Sequence, residues 1–182
     1  MSTLRIAAIA ASLALSLSVG VFAAESQNNT LRPNLGRPIT PSDLAPWDIS
    51  VMPDGKGLPA GSGTAVQGAP IFQAKCAACH GENGKGGEAA PVTAGAPRAT
   101  LDGGKTIANF WPYATTIFDF IRRAMPANAP KSLTDQEVYA LTAYLLSLNK
   151  LIGENDVINA QTLPQVKMPN VNNFIIRFPE RI

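Results

Sequence analysis

The chain has 182 residues, enough for one domain with a real core and short for two. Its 15 Lys+Arg against 13 Asp+Glu leave a formal charge of +2, with no basic block and no basic-aromatic interleaving, so no nucleic-acid partner is expected. The 15 Gly and 15 Pro concentrate on both sides of a more periodic middle, the pattern of a helical centre between extended arms.

The first segment, MSTLRIAAIAASLALSLSVGVFAAES, places Arg5 ahead of an apolar run that ends in small residues. Residues 1–24 therefore read as a secretory signal cleaved near Ala23 or Ala24. An uncleaved anchor is the rival, since the run approaches the roughly 20 residues a bilayer requires. The many Ala and Ser weaken it as a permanent span. The expectation is a periplasmic protein with no membrane span after signal cleavage, its thiols meeting an oxidising compartment. Residues 25–61 follow as an extended N-terminal arm rich in Pro and Gly.

A core is expected over residues 62–150. It opens with GAPIFQAKCAACHG, which is helical in period and holds both cysteines and the only histidine of the chain. Gly68, Phe72 and Cys76, spaced four apart, share one helical stripe, and Pro70 is expected to start or kink that helix. A thioredoxin-like Cys pair would need a preceding buried strand. Zinc would need four protein ligands, or three with water, and adjacent Cys79 and His80 would have to strain to supply them. A Cys76–Cys79 disulfide would close a very small loop and leave His80 unexplained. Covalent haem uses all three residues: Cys76 and Cys79 as thioethers and His80 as the ring aimed at iron.

After the motif, GENGKGG lacks both the GxxxxGK[ST] spacing and the preceding strand of a phosphate loop. In EAAPVTAGAP, Pro91 and Pro97 are candidates for presenting a backbone carbonyl to the other ring nitrogen of His80. Arg98, Trp111 and Tyr113 are candidate contacts for the haem propionates, with simple packing the alternative for the two aromatics.

The periodic run TTIFDFIRRAM ends in Met125. Met52, Met125 and Met168 all precede a proline, so position must choose the second axial ligand. Met125 lies in the stretch that must wrap the far side of the haem, and it takes the role, against the alternative of a gap-filling core methionine. His80 and Met125 then leave no vacancy for substrate, which points to electron transfer. With the only histidine on iron, no serine or cysteine nucleophile has a base. Arg122 and Arg123 follow Asp119 at helix-neighbour spacing, a solvated ion-pair face by default and a docking patch by the bolder reading.

SLTDQEVYALTAYLLSLN opens with Thr134 and Glu137 in capping-box register and repeats Val138, Leu141, Leu145 and Leu148 at helical spacing, with an LxxY pair at Leu141 and Tyr144. Residues 151–182 form a second extended arm without strong period, although NNFIIRFPE is apolar enough to be expected buried. The arms either lie along a partner protein or wrap the core.

Together the CxxCH motif, the Gly68–Phe72–Cys76 stripe and the LxxY helix resemble class I cytochromes c, in which N- and C-terminal helices cross at a glycine and interlock aromatics. The resemblance implies an all-α fold, the class I cytochrome c helical fold around one covalent haem c, with long irregular arms at both ends. The longer stretches GRPITPSDLAPWDISVMPDGKGLPAGSGTAVQG, FWPYATTIFDFIRRAMP and SLTDQEVYALTAYLLSLNKLIGENDVINAQTLPQVKMPN closely resemble the cytochrome subunits of Sox sulfane dehydrogenases. That likeness implies a non-catalytic haem subunit in a heteromer, taking electrons from a molybdenum-cofactor subunit that oxidises protein-bound sulfane sulfur and passing them to a soluble cytochrome. It matches His80 and Met125 to the axial positions and Cys76 and Cys79 to the attachment sites. Many such subunits carry a second haem domain; this sequence has no second CxxCH, so one haem is expected. The alternatives are a haem subunit or free carrier for sulfite dehydrogenase or another periplasmic dehydrogenase, and a haem enzyme or gas sensor with an open iron position.

Overall fold

A computed structural model describes residues 36–93 and 105–175. The signal segment, Pro97 and Arg98 lie outside the described residues. The chain divides after Pro41 into two units. Of the first, residues 36–41 are described and are exposed. A single helical turn, α1 (Pro41–Leu44), covers the point of division.

Thr64 starts the first long helix of the second unit. Its hydroxyl accepts from the Gln67 N–H at 3.3 Å, and the Gln67 side-chain oxygen accepts from the Thr64 N–H at 3.0 Å. This reciprocal cap satisfies two otherwise orphaned donors and sets the start of α2 (Ala65–Lys75). Pro70 therefore neither begins the helix nor ends it, contrary to the first of the two roles expected for it. It sits inside, where its missing N–H leaves the Val66 carbonyl without its intrahelical partner. The remaining helices are α3 (Ala77–His80), α4 (Ile107–Phe110), α5 (Ala114–Ala124) and α6 (Asp135–Leu148).

Helix α6 carries the capping box expected of Thr134 and Glu137: the Thr134 hydroxyl accepts from the Glu137 N–H at 3.2 Å and the Glu137 carboxylate from the Thr134 N–H at 2.8 Å. Its apolar repeat is buried at Val138, Leu141 and Leu145, with Leu148 at the margin. The crossing of α2 over α6 is made possible by Gly68. A Cβ there would stand 2.0 Å from the Ala140 carbonyl oxygen and 2.8 Å from the Tyr144 Cβ. One turn along, the Phe72 and Tyr144 rings meet at 5.2 Å between centroids. Helix α5 closes the core from another side through Ile117, Phe118 and Ile121, with Phe118 against Tyr139 at 4.5 Å. The Tyr139 hydroxyl reaches out of this apolar setting to donate to the Pro59 carbonyl at 2.8 Å.

The segment after residue 150 belongs to the same core. Strand β1 (Ser62–Gly63) pairs antiparallel with β2 (Ile158–Asn159), Gly63 opposite Ile158, and Ile158, Leu163 and Met168 are buried among the helices. Asn170, also buried, donates to the Phe110 carbonyl at 2.7 Å. These anchors are single apolar or amide side chains in irregular turns, which carry no period. Of NNFIIRFPE only residues 172–175 are described, and they are not buried: Ile175 is 94% exposed, while Phe174 rests edge-on against Phe110 at 5.6 Å. Among the described residues strands amount to one short antiparallel pair, β1 with β2, in an otherwise helical fold, so the all-α expectation stands.

Candidate haem site

Helix α2 stops at Cys76, whose backbone leaves helical geometry (φ −128°, ψ −36°), and the single turn α3 follows at once. The Cys79 and His80 N–H groups both turn back onto the Cys76 carbonyl, at 3.1 and 3.0 Å. Both thiols are free, Cys76 half-buried and Cys79 exposed. Burial pushes the Cys76 thiol up, with the Lys75 ammonium opposing it. Gly81 (φ +80°) ends the turn in a conformation that L side chains rarely adopt.

The imidazole of His80 is oriented by one hydrogen bond, from Nδ1 to the Ala90 carbonyl oxygen at 3.0 Å. A carbonyl only accepts, so the proton resides on Nδ1 and the Nε2 lone pair is left as a donor to metal. The carbonyl was expected from Pro91 or Pro97. It comes from the residue before Pro91, because proline holds its predecessor extended and turns that carbonyl toward the ring. The strap from residue 81 to 93 is stitched together: Ala89 N–H to the Cys79 carbonyl (2.8 Å), Val92 N–H to the Gly84 carbonyl (2.8 Å), and the Thr93 hydroxyl to the Asn83 carbonyl (2.7 Å). A Cβ at Gly87 would stand 2.2 Å from the Cys79 carbonyl, so GENGKGG is a glycine-dependent fold-back under the motif. Sequence reasoning set its phosphate-loop likeness aside and left its actual role unread.

The methionines occupy three different settings. Met168 is 2% exposed and is spent in the core, whereas Met52 is 37% exposed in a turn whose N–H reaches the Lys56 carbonyl. Met125 caps the C-terminus of α5, its N–H on the Ile121 carbonyl at 3.1 Å, and packs half-buried against the core cluster. Trp111 meets Phe120 edge-on at 5.5 Å, and the Tyr113 backbone forms an isolated β-bridge with that of Lys167. Asp119 pairs with Arg123 alone, at 2.8 Å, and also accepts from the Val51 N–H at 3.1 Å. Arg122 instead reaches Asp135 at 3.0 Å, tying the end of α5 to the start of α6 across the loop that begins with Met125.

Among the described residues no group of three or more His, Cys, Asp or Glu side chains is arranged to hold a metal ion. Two free cysteines flanking a helix break and a histidine with Nδ1 already engaged are the donor set that covalent haem requires. No described helix is long and apolar enough to cross a membrane.

Residues 65–149 match the family model for cytochrome c. No curated protein matches the chain by sequence. Among solved structures, a chain in the crystal structure of the sulfane dehydrogenase SoxCD from Paracoccus pantotrophus is 36% identical, with a TM-score of 0.72, over 82% of this chain and 75% of that one. Helix crossing, haem motif and this match agree, and the chain belongs to the cytochrome c family.

Proposed function

We propose that this chain is a mono-haem electron-transfer subunit of a periplasmic sulfane or sulfur dehydrogenase. The observation that carries the proposal is the 36% identity to the SoxCD chain, which extends well beyond the region a generic cytochrome c shares. In this reading Cys76 and Cys79 would hold haem c through thioethers, and His80 and Met125 would ligate its iron. Electrons arrive from a molybdenum-cofactor subunit and leave to a soluble cytochrome.

Haem bound there supplies a one-electron couple. The protein's part is to place and tune it. The paired cysteines fix the macrocycle at the break between α2 and α3. His80 presents Nε2, and its Nδ1 proton, shared with the Ala90 carbonyl, raises the basicity of the ring and holds its plane. The Met125 thioether, a soft donor, would be the second iron ligand and would favour the ferrous state. In this reading the chain carries electrons and the sulfur chemistry belongs to its partner. The test is the intact mass and peptide map of the protein matured in a periplasm, together with its response to carbon monoxide. One haem on the peptide holding Cys76 and Cys79, in a protein that resists carbon monoxide, supports the reading. Ready binding of carbon monoxide replaces it with an open-site haem protein.

A further inference from the structure

We propose that Asn149 is a positioning residue for His80, acting through residues 83–93; this rests on the reading of His80 as an axial ligand. Asn149 follows the last residue of α6, and its backbone N–H is fixed on the Leu145 carbonyl at 3.2 Å. Its side-chain amide has two hydrogens and uses both: Nδ2 donates to the Leu145 carbonyl at 2.8 Å and to the Val92 carbonyl at 3.2 Å. The second bond spans 57 positions of sequence and ties the strap to the most buried helix of the fold.

The strap needs that tie. Its start is held by the Gln73 side-chain amide, which donates to the Glu82 carbonyl at 2.8 Å; beyond that its other hydrogen bonds join near neighbours, from Cys79 to Thr93, and its turns run through Gly84, Gly86 and Gly87, which place little restraint on the chain. Ala90 is exposed and Pro91 has no N–H to anchor the backbone. The Ala90 carbonyl is thus held from two directions, by Ala89 on Cys79 before it and by Val92 on Gly84 and Asn149 after it. Releasing Val92 from α6 lets the carbonyl drift from Nδ1. A weaker Nδ1 hydrogen bond makes the imidazole a poorer donor and destabilises the ferric form relative to the ferrous.

The test compares the haem-loaded wild type with Asn149→Ala and Asn149→Leu, the latter keeping most of the volume while removing both donors without adding charge. Two properties are read: the ferric-to-ferrous ratio at a fixed ambient potential, and the iron-shifted proton resonances of the His80 ring. Both variants are expected to move the ratio toward ferrous by roughly threefold, a fraction of the 10- to 100-fold cost of losing a direct partner of a metal-bound histidine, and to move the ring resonances. Tyr139→Phe, which removes a hydrogen bond of the same helix to Pro59, should move neither. A haem-loaded Asn149→Leu with wild-type ratio and ring resonances overturns the proposal. If neither variant takes up haem, the wild type still decides: slow solvent exchange of the Asn149 side-chain amide supports it, and free exchange overturns it. Absence of iron-shifted His80 resonances in the wild type is a separate result, which overturns the axial-ligand reading itself.

Discussion

Substituting Gly68 by alanine tests the helix crossing on which the site is built. The added Cβ would lie 2.0 Å from the Ala140 oxygen, where ordinary contact begins at 3.4 Å, so the two must separate by more than an ångström. That oxygen is backbone within α6 and cannot swing aside, so α2 must lift or tilt. Lifting strains the packed seam, at about 1–3 kcal/mol for overpacking, and loosens the Phe72–Tyr144 ring pair, worth about 0.5–1.5 kcal/mol. Against this stands a gain of about 1 kcal/mol from replacing a mid-helix glycine. The net expectation is a loss near 2 kcal/mol, or about 4–8 °C in the unfolding midpoint of a domain of this size. Thermal unfolding of the haem-loaded variant, followed by far-ultraviolet circular dichroism, measures it. A midpoint equal to or above that of the wild type would refute the close crossing.

Other consequences are as direct. The Lys75 ammonium, 2.7 Å away, and then the Thr134 N–H hold the Glu137 carboxyl below its ordinary range. A depressed folded value means a contribution to stability that is present above the unfolded value of 4.5 and lost as pH falls through the folded one. The pair faces solvent, so Glu137→Gln should cost under about 1 kcal/mol at neutral pH and nothing in acid, as read by urea titration at both. Tyr139→Phe should lose about 1 kcal/mol in the same assay, leaving the Pro59 carbonyl without this donor. Met125→Ala in the haem-loaded protein should bind carbon monoxide readily where the wild type resists; equal resistance in both would remove Met125 from the iron.

Much of this was legible because local chemistry and tertiary role coincide. The Thr134–Glu137 box and the buried repeat of α6 follow from spacing alone, and Gly68, Phe72 and Tyr144 stand where the family crossing needs them. Pro70 misled, because proline signals a helix start while the real start lies in the Thr64–Gln67 box six residues earlier. Asn149 had no signal: a polar residue after a helix reads as an ordinary C-terminal cap, and its bond to Val92 exists only in three dimensions. Ile158, Leu163 and Met168 escaped for a related reason, since isolated apolar residues in irregular turns carry no period, and their burial is decided by the groove the helices leave. Ala90 was missed by one position, because the proline acts on its predecessor.

The proposed function has this cytochrome receiving electrons from a molybdenum-cofactor partner. Affinity purification of the haem-loaded protein from its periplasm, with co-eluting chains identified and assayed for molybdenum and for haem reduction by sulfur compounds, tests it most directly. The account predicts a molybdoprotein that co-elutes and reduces the haem when given a sulfane substrate. Recovery of the cytochrome alone, reducible only by small-molecule donors, would contradict it.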